Sequence, residues 1–248
     1  MSRALRPSSR CVPLLAALAL LACGPSSDPA PATGPDAPRP IATAAPERAV
    51  AAEEAQTEDD PFVLVMLGDS LSAGDGLAAD ASLPAQVDAV LHAARLNVEL
   101  RDASVSGLTT ARARAVLAAA DGLAGADGLV IQLGLADMLA GGPPDAISAN
   151  IGQIINDAQS RGLWVGVIGM RAPIELDTDV RDELDLIYFD LAAVYDVPLY
   201  PYYFDGLIDS ELGIARPELF LPGGIYPNEA GVATVAQGVG SWLIDELP

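Results

Sequence analysis

Short, continuous apolar runs alternate with longer segments of helical spacing from Phe62 to the end of the chain. Apolar runs without alternation are typical of parallel strands that helices cover on both faces. The predicted strands span residues 62–67, 98–101, 129–133, 164–170 and 197–200, the second being the weakest. The predicted helices span residues 84–95, 109–123, 144–161, 178–195 and 228–246.

This alternation predicts one α/β domain over residues 61–248, a three-layer α/β/α sandwich of flavodoxin-like type around a mainly parallel sheet. Ligands of such folds bind at the carboxyl ends of the strands. Ser70, Gly107 and a predicted loop at residues 134–142 each follow a predicted strand. We therefore expect them to meet at that edge of the sheet.

The first 22 residues have the pattern of an export signal. Three arginines precede an apolar segment, residues 12–21, that is too short to span a bilayer. The segment ends in Leu20-Leu21-Ala22-Cys23-Gly24, which resembles the lipobox of bacterial lipoproteins. We expect residues 1–22 to be removed and Cys23 to carry a lipid anchor. An ordinary secretory signal with a chance cysteine is the alternative.

Residues 23–60 are predicted to form a tether, because they are rich in Pro and Ala and end in an acidic run. Without the signal, 10 arginines face 34 acidic residues, a net charge of −24, and the chain has no lysine. Nucleic acid is therefore an unsuitable partner. Cys11 lies in the signal, so the mature chain is expected to have no internal disulfide.

Two sequence blocks suggest a serine hydrolase. Gly68-Asp69-Ser70 follows the first predicted strand, and Ala103-Ser104-Val105-Ser106-Gly107 follows the second. With these blocks, residues 62–248 resemble the SGNH (GDSL) hydrolase family, in particular its bacterial thioesterase I, lysophospholipase and arylesterase branch. The resemblance implies ester or thioester hydrolysis, with Ser70 as nucleophile and the backbone N–H groups of Ser70 and Gly107 binding the oxyanion.

Two further blocks depart from the family pattern. The third should read Gly-x-Asn-Asp but reads Gly134-Leu135-Ala136-Asp137, so a methyl group replaces an oxyanion donor. The last should read Asp-x-x-His-Pro-Asn but reads Gly223-Gly224-Ile225-Tyr226-Pro227-Asn228. Ala136, Gly223 and Tyr226 thus occupy the positions of the family's asparagine, its orienting aspartate and its general base.

The base for Ser70 is the open question, because a serine hydroxyl is a weak nucleophile without one. The only histidine, His92, shares the polar face of its predicted helix with Asp88 and Arg95, which indicates a surface residue. A carboxylate, from Asp69, Asp137 or Glu229, would serve only if burial raised its pKa. The absence of lysine excludes a Ser-Lys pair, and no metal or cofactor is expected.

Two other clusters have alternative interpretations. The aromatic run at residues 200–204 is predicted to close the core rather than to line an acyl or glycan groove. A series of acidic residues is predicted to form a solvated helix face rather than a cation site; its members are Glu175, Asp177, Asp179, Asp182, Glu183 and Asp185.

The leading hypothesis is a lipid-anchored pseudoenzyme at the bacterial envelope, expected at the outer membrane, that binds an acyl, lysophospholipid or glycan ligand or a protein partner. The alternative is an atypical, weak serine esterase, lysophospholipase or thioesterase that uses Ser70. A third hypothesis makes the domain a scaffold, with localisation as the useful property.

Overall fold

The computed structural model describes residues 60–119, 122–172, 177–209 and 214–248. The predicted signal, Cys23 and nearly all of the tether, together with Glu175, lie outside these residues. Within the described part, no helix is both long enough and apolar enough to cross a membrane.

Among the residues that the structure describes, five parallel strands form one sheet in the order β2-β1-β3-β4-β5. This confirms the predicted parallel sheet. The strands are β1 (Phe62–Gly68), β2 (Val98–Asp102), β3 (Gly128–Gln132), β4 (Trp164–Ile168) and β5 (Leu199–Tyr200). β5 is shorter than predicted, since the Val197 N–H donates to the Ala192 carbonyl oxygen at 3.1 Å and Pro198 has no N–H to donate.

In the described ranges, seven α-helices accompany the sheet. They are α1 (Ser70–Ala73), α2 (Leu83–Ala93), α3 (Thr110–Ala119), α4 (Leu135–Leu139), α5 (Pro144–Gln159), α6 (Thr178–Tyr195) and α7 (Glu229–Glu246). α2 packs on α7, whereas α5 packs on α3 and α6, as expected of helix layers on two faces of a sheet. The predicted fold class is therefore confirmed.

The core lies between the sheet and these helices. Every residue of β3 is buried, and so are six of the seven residues of β1, which explains their continuous apolar sequences. α5 contributes a stripe of isoleucines with helical spacing, namely Ile147, Ile151, Ile154 and Ile155. Both faces of the central strands are thus packed against helices. The turns that follow these strands therefore start from a rigid sheet.

One sequence-based expectation about the site region is wrong. Residues 134–142 were expected to form a loop, but they contain α4. Asp69 accepts a hydrogen bond from the Leu135 N–H at 3.1 Å, which satisfies a donor at the start of α4. Because this acceptor lies 66 residues away along the chain, the local pattern does not reveal the helix.

Candidate active site

Ser70 lies in a tight turn between β1 and α1. Asp69 caps the helix: its Oδ1 accepts a hydrogen bond from the Leu71 N–H at 3.1 Å. α1 ends after one turn at Gly74, which has a left-handed conformation. The turn places Ser70 at the carboxyl edge of the sheet, with only 6% of the residue exposed.

The loop after β2 brings Gly107 to Ser70. The N–H groups of Ala103 and Val105 donate to the carbonyl oxygens of Met66 and Gly68, which fixes the loop along the end of β1. Gly107 has φ +67°, a conformation that favours glycine. Its N–H donates to Ser70 Oγ at 2.8 Å. The two residues for which the resemblance implies oxyanion binding are therefore in direct contact.

The third block adjoins this turn but offers no side-chain donor. Gly68 pairs with Gln132 in the sheet, so the end of β3 lies beside the end of β1. Ala136 is half-buried in α4, and its methyl group cannot donate a hydrogen bond. Asp137 is buried and accepts hydrogen bonds from the N–H and the hydroxyl of Thr110, both at 2.8 Å. Asp137 therefore holds the start of α3.

The last block lies on the turn before α7. The Leu221 N–H donates to the Tyr226 carbonyl oxygen at 2.8 Å, and Leu221 approaches Gly76, six residues after Ser70. Gly223 is exposed and has φ +111°. Tyr226 is half-buried and packs against the core. Among the described residues, no hydrogen bond links this block to Ser70.

His92 lies at the wrong end of the sheet to serve Ser70. It is exposed in the last turn of α2. That helix begins beside Gly74 and ends shortly before Asn97, whose carbonyl oxygen accepts from the Phe62 N–H at the start of β1. A seven-residue strand of roughly 20 Å separates the two edges. The sequence-based interpretation of His92 as a surface residue agrees with this position.

The candidate carboxylate bases have other partners. Asp69 is fully buried, and burial raises its pKa to about 6, although hydrogen bonds from Leu71, Gln132 and the loop after β3 oppose the change. Its two oxygens accept from the N–H groups of Leu71 and Leu135. Asp137 is occupied by Thr110, and Glu229 is exposed in the first turn of α7.

The buried tyrosines do not offer a base either. Tyr203 donates its hydroxyl hydrogen to the Leu71 carbonyl oxygen at 3.2 Å, and Tyr188 donates to the Leu133 carbonyl oxygen at 2.8 Å. Burial raises the pKa of both phenols well above the ordinary value, with a further contribution from the nearby Asp69 carboxylate. Both are therefore neutral donors at physiological pH.

Sequence reasoning missed a buried polar network behind the Ser70 turn. Ser72 Oγ donates to Gln132 Oε1 at 2.7 Å, and Gln132 Nε2 donates to Met170 Sδ at 3.3 Å. A glutamine at the end of an apolar strand is the available signal, because a fully buried amide needs partners. The network connects the ends of β1, β3 and β4.

The aromatic run and the acidic series largely follow their predictions. Tyr200 and Tyr203 are buried and Phe204 packs on the core, whereas Tyr202 is half-buried beneath Arg171. Asp185 accepts from the Ala172 N–H at 2.7 Å. The other described members of the series are exposed, namely Asp177, Asp179, Asp182 and Glu183. No group of three or more potential metal ligands occurs among the residues that the structure describes.

The backbone at Gly223 makes the family's aspartate difficult to restore. Replacing Gly223 by Asp puts an L side chain at φ +111°, so we expect a loss of about 1–3 kcal/mol in the free energy of unfolding. Ile225→Asp adds the same charge at an exposed position of the same turn and is expected to cost less than 1 kcal/mol. Urea denaturation of both variants measures the difference. Equal stabilities would contradict the strain at Gly223.

Comparison with known proteins supports the assignment that the geometry suggests. Residues 66–233 match the model of the GDSL-like Lipase/Acylhydrolase family. An arylesterase from Vibrio mimicus is 29% identical over 184 residues, which cover 74% of this chain and 89% of the relative. A thioesterase 1/protease 1/lysophospholipase L1 from Escherichia coli strain K12 is 27% identical, with coverages of 74% and 82%.

Solved structures agree. The crystal structure of TesA superimposes with a TM-score of 0.67 at 25% identity and covers 75% of this chain and 99% of its own. AlinE4, an SGNH-hydrolase family esterase, has a TM-score of 0.59 at 30% identity, with coverages of 76% and 98%. The parallel sheet, the Ser70 turn and these similarities show that the chain belongs to the GDSL-like lipase/acylhydrolase family.

Proposed function

We propose that this family member is a lipid-anchored pseudoenzyme that binds an acyl or glycan ligand, or a protein partner, at the cell envelope without hydrolysing an ester. The observation that carries the proposal is the missing base. Ser70 Oγ accepts a hydrogen bond from the Gly107 N–H. No imidazole lies near Ser70, because the single histidine of the chain is at the opposite edge of the sheet.

The chemistry of acyl transfer explains why this loss matters. The serine hydroxyl must lose its proton as it attacks the carbonyl carbon, and the same base must later protonate the leaving group. Tyr226 stands in the place of the histidine, and a phenol lacks the basic ring nitrogen that accepts the proton of the serine. Ala136 and Gly223 also lack the donor and the carboxylate that the family supplies there.

The matching residues that remain have structural roles, which further supports the proposal. Asp69 caps α1 and the start of α4, and Asp137 holds the start of α3. Asn228 caps α7 by accepting from the Gly231 N–H at 3.0 Å, while its amide donates to the Glu218 carbonyl oxygen at 2.8 Å. Asp69, Asp137 and Asn228 thus stabilise the fold and persist, whereas the base and its orienting acid do not.

The proposed lipid anchor at Cys23 would hold the protein at the membrane. Cys23 follows Leu20-Leu21-Ala22 at the end of the apolar segment, and two or more acyl chains would anchor the protein stably. We expect mass spectrometry of the protein from its host to show a mature N-terminus at an acylated Cys23. The Cys23→Ser variant is expected to leave the membrane fraction. An unmodified peptide that spans residues 20–30 in the mature protein would contradict the anchor.

Ligand binding is tested by thermal shift with a fatty acid, a lysophospholipid and an acetylated glycan. At least one is expected to stabilise the protein and to stabilise Ser70→Ala equally, because no covalent step is required. Ala136→Phe is expected to reduce this shift, whereas Leu139→Phe, at an exposed position of the same helix, is the matched control. No shift with any of the three would contradict a retained ligand site and leave a partner-binding scaffold.

A further inference from the structure

Arg171 lies at the carboxyl edge of the sheet, close to two residues that are tied to the Ser70 turn. The preceding residue, Met170, is buried and accepts a hydrogen bond from Gln132, which itself accepts from Ser72. On the neighbouring segment, Tyr203 donates to the Leu71 carbonyl oxygen. Arg171 and Tyr202 each lie one residue away from these buried contacts.

The Arg171 guanidinium contacts an aromatic ring, and none of the described carboxylates forms an ion pair with it. Its Cζ lies 4.8 Å from the centre of the Tyr202 ring, a cation–π contact. Burial raises the pKa of Tyr202, so its ring remains a neutral phenol. Arg171 is exposed, and it forms no ion pair or hydrogen bond with any residue that the structure describes. Within the described part of the chain, its planar set of N–H donors is thus not used by another residue.

Arg171 is a cation in a strongly acidic chain. The chain has a net charge of −21 and no lysine, so arginine supplies every side-chain cation except a protonated His92. The carboxylates of Asp185 and Asp205 both contribute to the raised pKa of Tyr202, but neither forms an ion pair with Arg171. At physiological ionic strength, charges beyond about 8 Å are strongly screened. A small anion at Arg171 therefore responds mainly to the guanidinium and its immediate neighbours.

We propose that Arg171, supported by Tyr202, binds the carboxylate or phosphate head group of an anionic acyl ligand. A guanidinium forms paired hydrogen bonds with either group, which a neutral sugar cannot replace. This inference rests on the proposed function and deepens it, because it favours a fatty acid or a lysophospholipid over a neutral glycan.

The test uses the full chain in phosphatidylcholine nanodiscs and three probes that share an alkyl chain: hexanoate, hexyl phosphate and neutral hexyl glucoside. Isothermal titration calorimetry compares the wild type with Arg171→Gln and Arg171→Lys. Arg95→Gln is the matched control, because Arg95 is exposed beyond the end of α2, at the opposite edge of the sheet, and its loss changes the net charge equally.

Arg171→Gln is expected to weaken binding of at least one anionic probe by about 10- to 100-fold, with an intermediate effect of Arg171→Lys. Arg95→Gln and the affinity for hexyl glucoside should remain within about twofold of the wild type. Selective binding of hexanoate would support a carboxylate ligand, and selective binding of hexyl phosphate would support a phospholipid.

Two results overturn the inference. The first is an effect of Arg171→Gln on both anions that is no larger than that of Arg95→Gln. The second is binding of hexyl glucoside without binding of either anion, which leaves a non-hydrolytic binding protein intact. Rapid ester turnover that depends on Ser70 would contradict the proposed function instead, while the comparison of anion affinities would still hold.

Discussion

The purified protein is expected to hydrolyse p-nitrophenyl butyrate at least about 10⁴-fold more slowly than the Vibrio mimicus arylesterase under the same conditions. Loss of a general base and its orienting acid costs on the order of 10⁴–10⁶ in kcat, and loss of one oxyanion donor costs about 10²–10³, although these factors do not simply multiply. All three side chains are absent, at Tyr226, Gly223 and Ala136.

Ser70→Ala is the informative control for this rate. If no general base accepts the Ser70 proton, the variant and the wild type should show the same residual rate. Purification of Ser70→Ala beside the wild type also measures any esterase carried over from the host. A wild-type rate within about 100-fold of the arylesterase, abolished by Ser70→Ala, would show that another residue activates the serine.

The second large effect concerns the buried carboxyl of Asp69. Burial raises its pKa from 3.8 to about 6, a difference of about 2 pH units, so the folded protein binds this proton more tightly than the unfolded chain. The resulting stabilisation is fully present below about pH 3.8 and is lost as the pH rises through 6. At about 1.4 kcal/mol per unit, it amounts to roughly 3 kcal/mol.

Asp69→Asn isolates this contribution, because the variant cannot titrate at residue 69 but shares every other ionisable group. The free energy of unfolding of the wild type, minus that of the variant, should fall by roughly 3 kcal/mol between pH 4 and pH 7.5. Urea denaturation across this range measures the difference, and ¹³C NMR of the Asp69 carboxyl should show a midpoint near pH 6. A difference that stays constant or rises with pH would contradict the assignment.

Much of the fold is predictable because its signals are local. The apolar runs that became β1, β3 and β4 are continuous, as burial on both faces requires, and α6 occupies the predicted residues Thr178–Tyr195. His92 is also placed correctly by its neighbours, since helical periodicity puts it on the polar face of α2. Local pattern therefore decides which elements exist and which faces they bury.

The rest of the site depends on contacts between distant parts of the chain. α4 begins where Asp69 supplies an acceptor, and Gln132 is satisfied by Ser72 and Met170. The position of Arg171 over Tyr202 likewise depends on how β4 and β5 end. No sequence window contains these pairs, so neither periodicity nor residue spacing reveals them.

The same distinction explains why the Gly-Asp-Ser motif identifies the family more reliably than it predicts activity. Asp69 is required by the fold, because it caps α1 and accepts a hydrogen bond from the Leu135 N–H at the start of α4. The nucleophilicity of Ser70 depends instead on a base that the family places more than 150 residues later, where this chain has Tyr226. The aspartate of the motif is therefore retained for a structural reason, and its presence does not report on catalysis.

Reaction of Ser70 with a fluorophosphonate, followed by intact-mass spectrometry, tests the absence of an activated nucleophile most directly. The probe reports the first chemical step alone and needs neither the correct ester nor product release. A chain without a base is predicted to gain no phosphonyl mass under conditions that label the Escherichia coli thioesterase 1 completely, and to match Ser70→Ala. Rapid stoichiometric labelling that Ser70→Ala abolishes would contradict the account.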